Sequence, residues 1–147
     1  MGELMLTIRT IGDKVLKQKA KRVAHIDDTL RNLLASMVNC MYENNGIGLA
    51  APQVGILKQI IIVDNNGTPI IMINPEITEF SKETVLMNEG CLSVPGVFGD
   101  VLRPSWIRVK YRDTKGRYQH LKYDGLTARI IQHEVDHLFG KLFVKDQ

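Results

Sequence analysis

The run Gln132-His133-Glu134-Val135-Asp136-His137 constrains this chain more than any other segment. Residues four apart lie above one another on a helix, so the two histidines of this HExxH pattern can offer imidazole nitrogens to one metal ion. Glu134 lies beside them as a base that can activate water. The pattern therefore predicts a helix, from about Leu126 to Phe139, with one face turned toward a metal.

Two histidines are too few for a catalytic metal site, which usually has three protein ligands and one open position. The segment Leu138–Gln147 contains no glutamate, and Phe143 occupies the position at which an extended motif would carry a third histidine. We therefore expect the third ligand upstream, where the candidate side chains are His25, Cys40, Cys91 and His120.

Cys91 is favoured among these candidates because of its setting. It lies between a strand-like stretch and the loop Val94-Pro95-Gly96, and a thiol in such a polar turn can be presented to a cation. Cys40 falls on the apolar face of a helix and is expected to be a small core residue. His25 and His120 have no partner at metal-ligand spacing, so we interpret them as ordinary polar positions.

The hydrophobic pattern changes along the chain from a helical period to a strand period. Apolar residues at i, i+4 and i+7 predict an amphipathic helix from Asp28 to Glu43, which Asp27 or Asp28 would cap. The strand period then predicts Gln59–Val63, Ile70–Ile73, Ile107–Tyr111 and Tyr118–Tyr123, with turns at Asn65-Asn66-Gly67 and Thr114-Lys115-Gly116, and short stretches at Thr84–Met87 and Leu142–Val144. Asp124 and Gly140 are expected to bound the second helix. Mostly antiparallel strands around a C-terminal HExxH helix, with one N-terminal amphipathic helix, make an α+β fold.

Composition limits the classes of function. A chain of 147 residues suits one catalytic domain, 1–147, and no apolar run approaches the ~20 residues that span a bilayer. Two cysteines do not suggest a disulfide framework, so a cytoplasmic location is expected. The net charge of +3 is too small to indicate specific nucleic-acid binding. A basic cluster without interleaved aromatic residues is interpreted as a solvated face: Lys14, Lys17, Lys19, Lys21 and Arg22.

Two further runs accompany the HExxH pattern, Gly46-Ile47-Gly48-Leu49-Ala50-Ala51-Pro52-Gln53 and Glu89-Gly90-Cys91-Leu92-Ser93. In this order and at this spacing, the three runs resemble the signature motifs of peptide deformylases, and the resemblance covers nearly the whole chain. It implies a metal-dependent hydrolase that removes the N-formyl group from the N-terminal formylmethionine of newly made polypeptides and releases formate. The implied partners are N-formylmethionyl nascent peptides.

Each residue of the three runs then has an expected role. In the predicted site a divalent metal is held by Cys91, His133 and His137, and Glu134 transfers the proton. The resemblance points to the Gln53 side-chain amide and the Leu92 backbone N–H as donors to the oxyanion. The expected substrate-binding residues are Gly46, Ile47, Gly48 and Gly90, and we expect the glycines among them to let a substrate strand approach closely.

The identity of the metal is less constrained by the residues. The affinity order of divalent ions for nitrogen and sulfur ligands favours zinc over iron. The resemblance nevertheless implies Fe(II) as the working ion of many members. We therefore expect one divalent metal ion, Fe(II) first, with Zn, Ni and Co as alternatives.

Two functions of other kinds are weighed against this one. A zinc endopeptidase is disfavoured because its third ligand is missing downstream of His137. A silent, metal-stabilised binding module has no need of Glu134 or Gln53, since a structural site is closed by a fourth protein ligand. Some peptide deformylases contact the ribosome through a long C-terminal helix, for which too few residues follow Gly140 here. A transient ribosome contact is kept as a possible partner interaction.

Overall fold

The computed structural model describes residues 5–142. Within this range a five-stranded antiparallel sheet and a separate two-stranded ribbon are combined with two α-helices. The elements are α1 (Asp28–Glu43), β1 (Gly48–Ala50), β2 (Ile60–Asn65), β3 (Thr68–Phe80), β4 (Thr84–Cys91), β5 (Val94–Pro104), β6 (Trp106–Arg112), β7 (Tyr118–Asp124) and α2 (Gly125–Leu138), with 3₁₀ turns at Lys14–Lys17 and Ala51–Val54. The predicted α+β class is confirmed. The strand predicted at Leu142–Val144 lies outside the described residues, apart from Leu142.

Helix α1 has the bounds that the sequence predicts. The Asp27 carboxylate caps its start by accepting a hydrogen bond from the Leu30 backbone N–H at 2.9 Å. The helix ends at Glu43 with Asn44 as its C-cap residue, and Asn45 then takes a left-handed conformation with φ of 59°. Its buried face consists of Leu30, Leu33, Leu34, Ser36, Met37, Cys40 and Met41.

The large sheet has the strand order β1-β2-β3-β6-β7, and its second strand is buried on both faces. Ile60 and Ile62 belong to a core cluster that includes α1, whereas Ile61 and Val63 belong to a second cluster that includes α2. Successive side chains of a strand point to opposite faces, so this one strand supplies both clusters. The sheet therefore separates the two helices.

Both predicted hairpin turns are present. Asn66 and Gly67 have φ of 52° and 87°, as a two-residue turn with the twist of its strands requires. The second hairpin is closed by a hydrogen bond from the Asp113 backbone N–H to the Arg117 carbonyl at 2.9 Å. The strands extend beyond at least one of their predicted bounds, most of all β3, which continues to Phe80, although β2 begins one residue later than predicted, at Ile60.

The segment around Cys91 differs from the prediction. The loop expected at Val94-Pro95-Gly96 is instead the start of β5, which pairs with β4 along the whole length of both strands. The pairing shifts between Gly90 and Cys91, so that the extra residues before Phe98 form a bulge in which Gly96 has φ of 75°. A two-stranded ribbon tolerates Pro95 because one edge of each strand needs no hydrogen-bond donor. Cys91 therefore lies at the end of a long hairpin.

Helix α2 begins and ends one residue earlier than predicted. Asp124 is its N-cap residue, as expected, but the Asp124 side chain makes no capping hydrogen bond. The helix packs on the sheet through Ala128, Ile131, Val135 and Leu138. Neither described helix combines the length and the apolar character needed to cross a bilayer.

Candidate metal centre and active site

The HExxH histidines lie one turn apart on α2, with ring centroids 5.1 Å from each other. Both are buried, His133 with 7% and His137 with 1% of its surface exposed. Because the helix packs on the sheet through other positions, these two rings are directed toward the hairpin β4–β5. The helix therefore presents two nitrogen donors to one place.

Cys91, at the end of β4, brings a sulfur atom to the same place. Its Sγ atom lies 3.3 Å from His137 Nε2, and one donor atom from each of Cys91, His133 and His137 lies within 4.8 Å of the other two. The other candidates lie elsewhere: Cys40 is in the core, as predicted, and His25 and His120 are exposed. Of the four candidates, the structure brings Cys91 together with the histidines.

The chemistry of this cluster fits a divalent transition metal. One thiolate and two imidazoles are donors that suit zinc, iron, cobalt and nickel, and three ligands leave a position open. Two buried atoms nearby, His137 Nδ1 and Glu134 Oε1, have no hydrogen-bond partner among the residues described. Buried polar atoms are normally paired, so these two atoms are typical of a site that receives further groups.

Gln53 is held rigidly at the edge of the cluster. Its Oε1 atom accepts a hydrogen bond from the Ala50 backbone N–H at 2.9 Å, which fixes the orientation of the amide. Its Nε2 atom then donates toward Cys91 Sγ at 3.4 Å and Ser93 Oγ at 3.2 Å. The residue is 1% exposed, and its donor is directed toward the metal cluster by the contact with Cys91.

A cleft of about 430 Å³ opens over these residues. It is lined by every residue predicted to take part in the site except His137: Gly46, Ile47, Gly48, Gln53, Gly90, Cys91, Leu92, His133 and Glu134. A larger cleft of about 610 Å³ lies elsewhere and contains none of them. The predicted residues are thus assembled around one opening.

The structure supplies a different reason for the glycines than the expected approach of a substrate strand. A Cβ atom on Gly48 would lie 2.5 Å from Glu134 Oε2, and one on Gly90 would lie 2.5 Å from the Phe98 ring. A Cβ atom on Gly46 would lie 2.7 Å from Leu92 Cδ1. These positions lack side chains because the neighbouring side chains already fill the space. Their predicted role in substrate binding stays a prediction.

A smaller cavity of about 100 Å³ adjoins the cleft. Glu134 and His133 line part of it, and much of the remaining wall is apolar. This wall includes Ile47, Met87, Leu126 and Ile130. The cavity can accept an unbranched apolar side chain beside the metal cluster.

A buried ionic network that the motifs do not predict lies behind His133. Glu89 accepts two hydrogen bonds from Arg103, at 2.6 and 2.9 Å, and one from Arg129. Its Oε1 atom also lies 2.8 Å from His133 Nδ1, so Nε2 is the nitrogen left for a metal. Arg103 continues the network to Asp136 at 3.0 Å. One signal was available in the sequence: Arg129 precedes His133 by four residues and therefore shares its face of the helix.

The network separates the protonation behaviour of the two histidines. Burial lowers the pKa of His133, but hydrogen bonds to Cys91 and Glu89 outweigh burial and raise it to about 10. Burial, reinforced by the charges of His133 and Arg103, lowers the pKa of His137 to about 3. The two imidazoles therefore differ in charge at neutral pH until a cation binds between them.

The two glutamates of the site are shifted in opposite directions. Burial raises the pKa of Glu134 to about 7, because the nearby charges of His133 and Arg103 only partly offset the loss of water. Burial also acts on Glu89, but hydrogen bonds from His133 and Arg103 prevail and lower its pKa to about 2. Glu134 can thus exchange a proton near neutral pH, while Glu89 stays charged.

Comparison with known proteins agrees with this geometry. The family model described as polypeptide deformylase matches residues 5–146. The chain belongs to this family. The predicted resemblance is thereby confirmed over nearly the whole sequence.

Peptide deformylases that are similar to this chain include that of Synechocystis sp., 54% identical over 144 residues, which are 95% of this chain and 77% of that one. The peptide deformylase of Prochlorococcus marinus is 52% identical over 95% of this chain and 71% of its own length. A crystal structure of a peptide deformylase from Synechococcus elongatus in complex with actinonin has a TM-score of 0.93 and 52% identity, covering 96% of this chain and 78% of that one. The Thermotoga maritima peptide deformylase has a TM-score of 0.92 and 44% identity, with 95% of each chain covered.

Peptide deformylases are metal-dependent hydrolases, and membership in the family makes this chain an enzyme of that class. The cluster of Cys91, His133 and His137 is therefore a candidate metal centre on two grounds, its family and its geometry.

Proposed function

We propose that this chain removes the N-formyl group from the N-terminal formylmethionine of newly made polypeptides and releases formate. The observation that carries the proposal is the convergence of Cys91, His133 and His137, with donor atoms within 4.8 Å, beside a cleft that Cys91, His133 and Glu134 line. A single catalytic domain, residues 1–147, would perform this reaction. The family supports the reaction class, and the site supports the chemistry.

The metal would be held by Cys91 Sγ, His133 Nε2 and His137 Nε2. Once bound, a divalent cation supplies Lewis acidity to the carbonyl and to water. We propose Fe(II) as the working ion, with Zn, Ni and Co as ions that the same donors accept. The Glu89 carboxylate supports this arrangement because it fixes the orientation of the His133 ring.

Glu134 is proposed to carry the proton. As water adds to the formyl carbon, the carboxylate accepts its proton, and the same proton is delivered to the amine nitrogen when the carbon–nitrogen bond breaks. The products are formate and a free N-terminus. Two observations support this role: Glu134 Oε1 is buried without a partner among the residues described, and burial raises the pKa of Glu134 to about 7.

Gln53 and Leu92 are proposed to stabilise the negative charge that forms on the carbonyl oxygen. Gln53 Nε2 is preorientated by the Ala50 contact and is aimed toward Cys91. Leu92 follows Cys91 directly and lines the same cleft, so its backbone N–H lies next to the proposed ligand. Donors held in place before the reaction lower its barrier without reorganisation.

The substrate is proposed to lie along Gly46, Ile47 and Gly48 on one side of the cleft and Gly90 on the other. The methionine side chain would then enter the cavity of about 100 Å³ next to Glu134. Ile130 and Leu126 supply apolar contacts there, which suits an unbranched thioether side chain.

A formate-release assay tests the proposal. Anaerobically purified protein of known metal content should release formate from a formylmethionyl peptide and leave the unformylated peptide intact. Cleavage of internal peptide bonds instead would indicate an endopeptidase, and inactivity with a fully loaded site would indicate a binding module. Reconstitution with Fe(II), Ni, Co or Zn, with and without oxygen, identifies the working ion. We expect the iron form to be active but short-lived in air, the nickel form to be active and durable, and the zinc form to be slow.

The cellular setting follows from the substrate. We propose a cytoplasmic enzyme that acts on nascent peptides and can make a transient contact with the ribosome. Specific nucleic-acid and membrane partners are not part of the proposal. Co-sedimentation of the purified chain with ribosomes at several salt concentrations tests the contact.

A further inference from the structure

The proposed metal ligands come from two parts of the molecule that share no sheet. Cys91 lies on the hairpin β4–β5, whose strands pair only with each other, and the histidines lie on α2. The distance between sulfur and nitrogen donors therefore depends on how the hairpin is seated on the helix.

Apolar contacts contribute little to holding the hairpin on the helix. Several large hydrophobic side chains of the hairpin remain substantially exposed, including Leu86 and Leu102 with 61% each and Val85 with 43%. The contacts that cross from α2 to the hairpin are instead largely polar. Besides the bonds of Glu89, they include Gln132 Nε2 donating to the Pro104 carbonyl at 3.0 Å.

Arg129 makes the most extensive of these polar contacts. Its guanidinium donates to the Glu89 carboxylate and the Val85 carbonyl on β4 and, at 3.0 Å, to the Val101 carbonyl on β5. The side chain is only 7% exposed. One side chain of the helix thus holds both strands of the hairpin, one turn before His133.

We propose that Arg129 is a positioning residue, which clamps the hairpin β4–β5 on α2 and thereby sets the distance from Cys91 to His133 and His137. The inference rests on the proposed metal ligation and assigns Arg129 no contact with the substrate's reacting atoms. A guanidinium suits the task because its planar donors reach a carboxylate and two carbonyls together. Without it, Val85 and Val101 would each lose a hydrogen bond in a partly buried place, and Glu89 would lose one of its partners.

The proposal is tested by metal binding, without substrate. Cobalt affinity is measured by competition with a chelator, and the thiolate-to-cobalt absorption band reports the contact of Cys91 with the ion. R129M should weaken cobalt binding at least ~10-fold, the scale on which outer partners act, and should weaken or shift the band. R129K, which keeps the charge but has fewer donors, should lie between R129M and the unmodified protein.

The matched control is R108M, which removes an arginine from an exposed ion pair with Glu79 at 2.8 Å on the large sheet. Its cobalt affinity and band should equal those of the unmodified protein. Cobalt affinity within twofold and an unchanged band in R129M would overturn the proposal. If R129M does not fold, R129K is the deciding variant. Cobalt affinity and a band equal to those of the unmodified protein would overturn the proposal, and a partial loss of cobalt affinity would support it.

The outcome is separable from the proposed function. Failure of the unmodified, metal-loaded protein to release formate would contradict the function while leaving the cobalt comparison intact. Absence of the thiolate band in the unmodified protein would contradict the proposed ligation itself, and with it the clamp.

Discussion

The two sides of α2 are built from different interactions. Toward the large sheet the helix presents Ala128, Ile131, Val135 and Leu138, which are almost completely buried. Toward the hairpin it presents Arg129, Gln132, His133 and Asp136, each hydrogen-bonded to β4 or β5. Apolar burial is strong but non-directional, whereas charge-assisted hydrogen bonds are directional. One side of the helix therefore stabilises the fold, and the other orients the site.

The largest effect is expected at Cys91, the proposed metal ligand that the hairpin β4–β5 supplies. Cys91→Ala should lower metal occupancy and activity together, and by more than the ~10–100-fold that outer partners contribute. Metal analysis and formate release measure the two effects. Cys40→Ala is the matched control, because that thiol is 4% exposed in the core and should affect neither. A Cys91 variant that keeps its metal would remove the thiolate from the proposed ligand set.

Glu134→Ala separates chemistry from positioning on the same polar side. We expect kcat to fall at least ~100-fold while the metal is retained, since the carboxylate transfers a proton and is not a ligand. Steady-state kinetics and metal analysis on one preparation give both quantities. Loss of metal from this variant, or near-normal turnover, would refute the assignment.

Ile131→Ala tests the apolar side. Ile131 is completely buried between the helix and the sheet, so its truncation should lower the free energy of unfolding by about 2–5 kcal/mol. Cobalt affinity at a temperature where the variant is folded should change little. Denaturant unfolding and chelator competition measure the two. A large loss of cobalt affinity with little loss of stability would mean that the apolar side of the helix orients the site instead of stabilising the fold.

Glu89→Gln tests the polar side through the pH dependence of the stability of the protein. The pKa of Glu89 in the folded protein is about 2, below its ordinary value of 4.5, so its stabilising effect is present above pH 4.5 and is lost as pH falls toward 2. The stability difference between the metal-free unmodified protein and Glu89→Gln should therefore be largest near neutral pH and shrink below pH 4.5. Urea unfolding from pH 7 to 3 measures it. A difference independent of pH would argue against the charged form.

The smallest effect is expected at the cavity beside the site. Met87, Leu126 and Arg129 line both this cavity and an outer groove of about 520 Å³, so they form the wall between them. Met87→Ala should open the wall and relax selectivity for the first side chain, by about tenfold or less in relative kcat/KM. Formylated peptides with progressively longer unbranched side chains measure the change. Unaltered selectivity would mean that the methionine side chain of the substrate does not enter this cavity.

The sequence predicts the apolar part of this molecule better than the polar part. The helix Asp28–Glu43 is predicted with its bounds because its hydrophobic period and its Asp27 cap agree. By contrast, β1 has three residues, too few for any period to show. The hairpin is recognised only in part because Val85, Leu86 and Met87 are all exposed to a similar degree, so its first strand lacks alternation.

The candidate site shows the same division. The ligand types and their spacing are local properties, and the structure brings Cys91, His133 and His137 together as the motifs suggest. The ionic network could not be predicted, since charged residues such as Glu89 and Arg103 are ordinarily on the surface and nothing local pairs them. The close approach of Gly48 to Glu134 was equally out of reach of the sequence, because the two residues meet only after folding.

The burial of β2 on both faces has a consequence for synthesis. Ile61 and Val63 are covered by α2, which begins at Gly125, 62 residues after Val63 (125 − 63). Until residues 125–138 have been translated, one face of the growing sheet has no cover, and such a face is prone to non-native association. The helix that contributes two of the proposed metal ligands also covers this face of the sheet. A nascent chain can therefore form the metal site only in the step that buries the apolar face.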